Sequence, residues 1–315
     1  MLLATALTLG AVLPARAQFQ AASPEGARLG ETLVQKWKAG VIVSASSGPC
    51  QGILATVPVP TDWPEQQVTV VDEEISSSAR VSYEMVGGTV KQMKVVIPFL
   101  PAGQKAVAVV TVEVRRSSQI APENTGVYQI PDGRRMEPAV RIHLGPSPAI
   151  ESTSPKIKAL ARQIGADKEN AWDKVEAIYD WVRQTVTFDE AYVEAPVRGA
   201  LAALGTKKGD CEDLSSLFIA ICRAAGIPAR TVWVPGHCYP EFYLVDAEGQ
   251  GHWFPCQAAG SRAFGEMPDH RPILQKGDNF RPPHSPRERK RYLAEWLTGA
   301  GGRPQVQWVR ELVPN

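Results

Sequence analysis

The feature that most narrows the fold of this chain is a change of hydrophobic period partway along it. From about residue 41 to 115, apolar residues recur at every second position: Val81, Tyr83 and Met85 alternate with Ser82 and Glu84, and Val110, Val112 and Val114 alternate with Thr111, Glu113 and Arg115. Period two is the pattern of strands with one buried face. Breakers over 58–64, at Gly87-Gly88 and at Pro101-Ala102-Gly103 fall between the runs, so the segment is expected to form an antiparallel β-sandwich of about six or more strands. Nothing in it looks chemical, and Cys50, beside Gly48 and Pro49, reads as a turn or half-buried thiol.

The stretch HLGPSPAIESTSP, residues 143–155, concentrates proline, serine and glycine, and helical spacing begins there. Ser154 as cap and Pro155 in the first turn open a helix carrying Ile157, Leu160, Ala161 and Ile164, closed by Gly165. Trp172, Val175, Ile178, Tyr179 and Val182 mark a second helix. A third is expected over 211–225, with Leu214, Leu217, Phe218 and Ile221 buried and Gly226 as its stop. The period then returns to two, in strands over 229–234 and 237–245 joined at Pro235-Gly236, and a third over 252–257. The tail reads as a helix over 286–297 and a strand over 306–309. The expected organisation is a leader at 1–17, a β-sandwich at 18–147, an α+β domain at 148–280 and a helix-and-strand extension at 281–315.

A length of 315 residues agrees with about two domains. With 44% hydrophobic and 21% charged residues, bulk disorder and collagen-like structure are excluded. Lys and Arg number 34 against 33 Asp and Glu, for a net charge of +1. No global field attracts nucleic acid or an anionic membrane, and neither is an expected partner. After the first fifteen residues no apolar run approaches the roughly 18 needed to span a bilayer. The opening MLLATALTLGAVLPARA has an apolar stretch and the small-x-small pattern Ala15, Arg16, Ala17. It predicts export to a periplasmic or extracellular compartment, with cleavage leaving Gln18 first. Cys50, Cys211, Cys222, Cys238 and Cys256 are an odd set, so an oxidising compartment leaves at least one thiol unpaired.

Cys211 lies in Gly209-Asp210-Cys211-Glu212-Asp213, at the first turn of the third helix. Unpaired N–H groups and the positive dipole end stabilise a thiolate there. Asp210, Glu212 and Asp213 work against it, so the cysteine needs an imidazole partner. His237, opening a strand after Gly236, is the best candidate base. His143 and His284 lie in proline-rich connections, His270 in a polar loop, and His252 on the opposite strand face from Trp253. The run from Gly205 to Asp210 lacks the Gly-Lys-Ser/Thr ending of a phosphate loop, and Arg287, Arg289, Lys290 and Arg291 read as a solvated helix face.

The segment GDCEDLSSLFIAICRAAGIPARTVWVPGHCYPEFYL, followed by HWFPCQ, resembles the core of the transglutaminase-like superfamily. The resemblance covers roughly 155–260 and implies a papain-like α+β fold with a Cys-His-Asp triad, its cysteine opening a helix that ends in G-I-P-A-R. It places the nucleophile on Cys211 and the base on His237, the residues reached independently above. This chain departs in two places: only Pro235-Gly236 separates the strands where the family has a longer loop, and Gln257 stands where the family has its aspartate. A glutamine carbonyl still accepts an imidazole N–H, as an amide does in Cys-His-Asn sites, but adds no negative charge. Glu241, four residues along the strand from His237 at a rise of about 13 Å, is too far to substitute. Cys222, roughly 16 Å along the helix from Cys211, is a core thiol. The family register brings Cys238 and Cys256 near one another, leaving a disulfide between them open. A zinc site from Cys238, His252 and Cys256 lacks tight Cys-x-x-Cys spacing, and no metal or cofactor is expected.

The leader pattern and the resemblance together imply an exported cysteine enzyme that cleaves or transfers acyl groups from peptide or glutamine amides through Cys211, His237 and Gln257, with a protein or peptide as substrate. Gln257 leaves open the alternative of a non-catalytic binding module that retains the fold. The sequence does not fix the oligomeric state.

Overall fold

The computed structural model describes residues 26–193 and 196–314; the leader read at 1–17 lies outside them. Strands come first: β1 (Arg28–Ser44), β2 (Cys50–Val59), β3 (Gln66–Ile75), β4 (Arg80–Val86), β5 (Val90–Leu100) and β6 (Lys105–Ile120). The short α1 (Pro138–Arg141) runs into a 3-10 turn, Ile142–Leu144. Next come α2 (Pro155–Gln163), α3 (Ala171–Thr185), β7 (Thr187–Phe188), α4 (Ala200–Thr206), β8 (Lys208–Gly209) and α5 (Cys211–Ala224). The chain continues through β9 (Ala229–Val234), β10 (His237–Val245), β11 (Gly251–Pro255), β12 (Gln275–Lys276), β13 (Trp296–Gly301) and β14 (Gln305–Val313). The result is a mixed α+β architecture, antiparallel sheets first and helices with a further sheet after.

The alternation read in the sequence becomes two facing sheets, ordered β14-β1-β6-β3 and β13-β2-β5-β4. Val41 and Val43 of β1, Val110 and Val112 of β6, Ile53 and Val57 of β2, and Met93, Val95 and Ile97 of β5 fill the space between them. The intervening side chains of β5, Lys94 and Val96, stay partly exposed, as the pleat requires.

The tail corrects the expected extension at 281–315. No helix forms over 286–297; β13 pairs with β2 (Trp296 opposite Thr56) and β14 with β1 (Val309 opposite Gly40), one edge strand for each sheet. The charged run before them does favour a helix, but its backbone groups are spent elsewhere. Lys290 and Phe280 exchange N–H···O bonds at 2.9 and 2.8 Å, and the Gln275 side chain bonds both backbone groups of Leu293 at 2.8 and 3.0 Å. Non-local pairing overrides a weak local preference.

The third sheet runs β11-β10-β9-β12, antiparallel throughout. On one face it carries α5, which is buried from Asp213 to Arg223. Leu217, Phe218 and Ile221 pack with Phe242, Leu244 and Phe254 of the sheet and with Val175, Ile178 and Tyr179 of α3, each contributing about 1.5–3 kcal/mol by leaving water. Ser154 occupies the position before α2 but makes no side-chain cap bond; Asn170 and Asp210 cap α3 and α5.

The opposite face meets the sandwich through buried charge. Lys276 Nζ lies 2.6 Å from Glu65 Oε1 of the sandwich and 2.6 Å from Glu241 Oε1 of β10, and Arg230 Nε donates to Glu241 Oε2 at 2.9 Å. Arg116 of β6 donates to the Tyr239 hydroxyl at 3.2 Å. Burial alone would raise the Glu65 carboxyl, but the Lys276 and Arg116 cations overcome it and hold it at about 2. Because the folded-state value lies below the unfolded one, this stabilisation is full above the ordinary carboxylate range and drains as pH falls towards 2. Lys276→Met is expected to lose about 3–5 kcal/mol at pH 7 by leaving buried carboxylate without its cation. Urea unfolding at a series of pH values checks both statements, and the variant should show a shallower loss of stability between pH 4.5 and 2.

Candidate active site

The loop before α5 sets the position of Cys211. Asp210 caps the helix, its carboxylate accepting the Asp213 N–H at 2.9 Å. Asp213 in turn accepts the backbone N–H groups of Arg198 and Gly199 at 3.1 and 3.0 Å and the Arg198 guanidinium at 2.8 Å. A Cβ on Gly209 would lie 2.5 Å from that of Asp213, so only glycine allows this approach. Cys211 is the first helical residue, where its own N–H has no intrahelical acceptor.

His237 opens β10 opposite Val234, across the Pro235-Gly236 turn. Its Nε2 lies 3.0 Å from Gln257 Oε1. An amide oxygen only accepts, so Nε2 carries the proton and Nδ1 is left for Cys211. Gln257 is fixed by its own backbone: its N–H donates to Ala263 O at 2.8 Å, and its carbonyl accepts Tyr179 Oη at 2.9 Å and Arg183 at 2.8 Å. The three side chains singled out by sequence are therefore brought together.

The Cys211 thiol is drawn down to about 4, first by the hydrogen bond from the Cys238 thiol, then, against the opposing effect of burial, by the His237 ring. Burial lowers the His237 ring, but the bonds and charge it gains from Cys211 and its bond to Gln257 outweigh that and raise it. A thiolate facing an imidazolium is the state both shifts favour. The neighbouring carboxylates do not prevent it: Asp213 is paired with Arg198, and Glu212 Oε2 lies 3.5 Å from Arg291 Nε.

Sequence reasoning missed several contributors. Cys238 enters the sequence reading only through an open disulfide and a zinc set, yet it is the first cause of the lowered Cys211 thiol and lies 3.9 Å from Ser215 Oγ, one turn along α5. Its place directly after the candidate base was the only available signal. Arg271, ion-paired with Asp269, donates to Pro235 O at 3.0 Å and so braces the turn that launches His237. The disulfide left open between Cys238 and Cys256 is not formed; all five cysteines are free. Burial pushes the Cys222 and Cys256 thiols up, while Cys238 is raised first by its bond to Cys211. The other histidines stand apart: His252 bonds Asp246 at 2.6 Å, His270 contacts Glu31 O, and His284 stacks on Trp296. Glu241 belongs to the ion cluster beneath the sandwich.

Cys211 and His237 line a cleft of about 560 Å³. The α+β region lines it further with Val193, Trp233 and Val234, and the rest of the chain adds Trp37 of β1, Arg310 of β14, and Arg291 and Tyr292 of the tail.

A cysteine opening a central helix thus faces a histidine on the adjoining sheet, and residues 158–258 form a domain of the transglutaminase-like superfamily, whose family model they match. Uncharacterized protein YebA of Bacillus subtilis is 32% identical over 103 residues, which are 29% of this chain and 13% of that protein. An uncharacterized protein of Haemophilus influenzae is 32% identical over 97 residues, 30% of this chain and 26% of its own length. The chain thus aligns with about a quarter or less of these relatives. The crystal structure of a "putative cysteine protease" from Cytophaga hutchinsonii superposes with a TM-score of 0.58, at 17% identity, over 90% of this chain and 92% of that one, a likeness of fold.

Alkylation of Cys211 should be half-maximal near pH 4 in the native protein. His237→Ala is expected to move that midpoint up by about 1–3 pH units, as loss of an adjacent charge does, and Cys238→Ala to move it in the same direction. Mass-spectrometric labelling rates across pH read both shifts, and midpoints unchanged in both variants would contradict the cause assigned to the thiolate.

Proposed function

We propose that this chain is a thiol-dependent amide hydrolase or acyltransferase acting on a protein or peptide, with Cys211 as nucleophile, His237 as base and Gln257 as the residue that orients the base. The observation that carries this reading is the contiguous array itself, a thiol held low beside an imidazole that a backbone-fixed amide orients, at the wall of an open cleft. The Cys211 sulfur attacks the carbonyl carbon, and the carbonyl π pair moves to oxygen. The N–H groups at the start of α5 face that developing charge. On collapse the C–N bond breaks, the His237 proton passes to the leaving amine, and a thioester remains on Cys211. Water or an amine, deprotonated by His237, then attacks the thioester and releases Cys211. In this scheme the neutral Gln257 suffices because the thiolate is itself the negative partner of the imidazolium. The leader-like N-terminus supports placing this activity outside the cytoplasm.

Amide turnover by the purified protein tests the reading. Cys211→Ala should abolish it; Gln257→Ala should reduce kcat by about 10² through misorientation of the base, and Gln257→Asp should preserve or raise it. A peptidyl electrophile should label Cys211 ahead of every other thiol. Absence of wild-type turnover, with partner binding that survives Cys211→Ala, would favour the binding-module alternative.

A further inference from the structure

A second cavity, of about 620 Å³, shares no lining residue with the Cys211 cleft. One wall is the β4–β5 hairpin, whose Gly87 and Gly88 hold φ of +59° and +73°. A Cβ on Gly88 would meet nothing within 4 Å, so the glycines that make this turn also leave its side of the cavity bare. Val140 and Ile142, from α1 and the turn after it, form an apolar wall with Phe280. Ile142 keeps 58% of its surface exposed.

Two features give the cavity a chemical character. His143 is 94% buried, with 6% of its surface exposed, and its ring stands edge-on to Trp253 at 5.4 Å. It makes no hydrogen bond with the described residues, though it lines the cavity. Burial first, then the Arg230 and Arg223 cations, hold its ring at about 3 against the pull of Asp278. It is therefore neutral at working pH, offering one N–H and one lone pair. The second feature is uncompensated charge. Arg230 is matched by Glu241 and Asp278 by Arg223, whereas Arg281 and Arg289 have no carboxylate partner among the described residues; Arg289 donates to Asn279 at 3.2 Å.

We propose that this cavity binds a small organic anion of the carboxylate type with an apolar body. The charged end lies on Arg281 and Arg289 at the exposed rim, the body rests against Ile142, Val140 and Phe280, and a polar atom meets the His143 ring. The volume is that of a small-molecule pocket, and the His143 ring lines it without a hydrogen bond to the described residues, so its N–H and lone pair are available to a ligand. This site is independent of the activity proposed for Cys211.

Naphthalene-2-carboxylate and its neutral isostere naphthalene-2-carboxamide serve as probes of the full chain, followed by ring-nitrogen NMR of histidine and by tryptophan emission. The carboxylate is expected to bind saturably and to shift the His143 resonances. The carboxamide, and the carboxylate with the Arg281→Glu/Arg289→Glu double variant, are expected to bind at least about tenfold more weakly, the scale of one lost charge-assisted bond. Ile142→Asp, an exposed change at the rim, should weaken the carboxylate as well. Cys211 labelling should be the same in the double variant as in the native protein, which separates this site from the cleft. Equal affinity for both probes, undiminished binding in the double variant, or no response of His143 would each overturn the proposal.

Discussion

The Lys276 ammonium, held at 2.6 Å from one carboxylate of the sandwich and one of the sheet, is the contact on which the relation between the two halves depends. Exchanged for apolar side chains of the same volume, such a group would cost nothing in net stability, because desolvating three charges consumes most of their attraction. Its effect lies in what it forbids. Any sliding of the sheet beneath the sandwich strands Glu65, Glu241 or Lys276 in a medium that does not solvate it. Arg116 adds the same constraint a short distance away, with Tyr239 as its partner. The strand carrying Tyr239 and Glu241 begins with His237, so the ion cluster and the candidate base share one rigid element.

Within the site, electrostatics favour a thiolate although the local sequence is acidic. Asp210 caps the helix and Asp213 is paired with Arg198. Cys238 and His237 supply the donors that Cys211 lacks locally. Given such a thiolate, the family aspartate would bring a second negative charge next to the imidazolium. Glutamine retains the orienting bond at 3.0 Å without that charge, and Arg271, paired with Asp269, holds the Pro235-Gly236 turn through Pro235 O.

Much of this was legible in the sequence because it is local. Alternation gives strands their buried faces, Gly209 and Gly226 bound α5, and the run Trp253-Phe254-Pro255-Cys256-Gln257 brings Gln257 Oε1 to 3.0 Å from His237 Nε2. What was not legible depends on contacts distant in sequence. The tail reads as a helix until Phe280 and Gln275 claim its backbone groups. His143, taken as a residue of a proline-rich connection, is buried against Trp253 of β11. Cys238 becomes electrostatically relevant only because α5 and β10 pack face to face, and periodicity carries no information about which thiol on a strand meets which turn of a helix.

The segment that matches the superfamily, residues 158–258, contains Cys211, His237 and Gln257 with the Arg198, Tyr179 and Arg183 that help to position them, yet not every structure that confines them. Arg271, which braces the turn before His237, lies beyond it, as do Lys276, Arg291, Tyr292 and Arg310; Trp37 precedes it by more than a hundred residues. The candidate chemistry thus lies in one stretch of the chain, while access to it is shared with others. Sequence drift in the sandwich and tail would leave the candidate triad intact while reshaping what reaches it. The edge strands β13 and β14 make this division physical, because the tail that walls the cleft with Arg291 and Tyr292 must continue into the sandwich to satisfy its own backbone. A cleft built this way has one wall whose position depends on the sandwich being folded, so the sandwich acts on the site through the shape of its entrance.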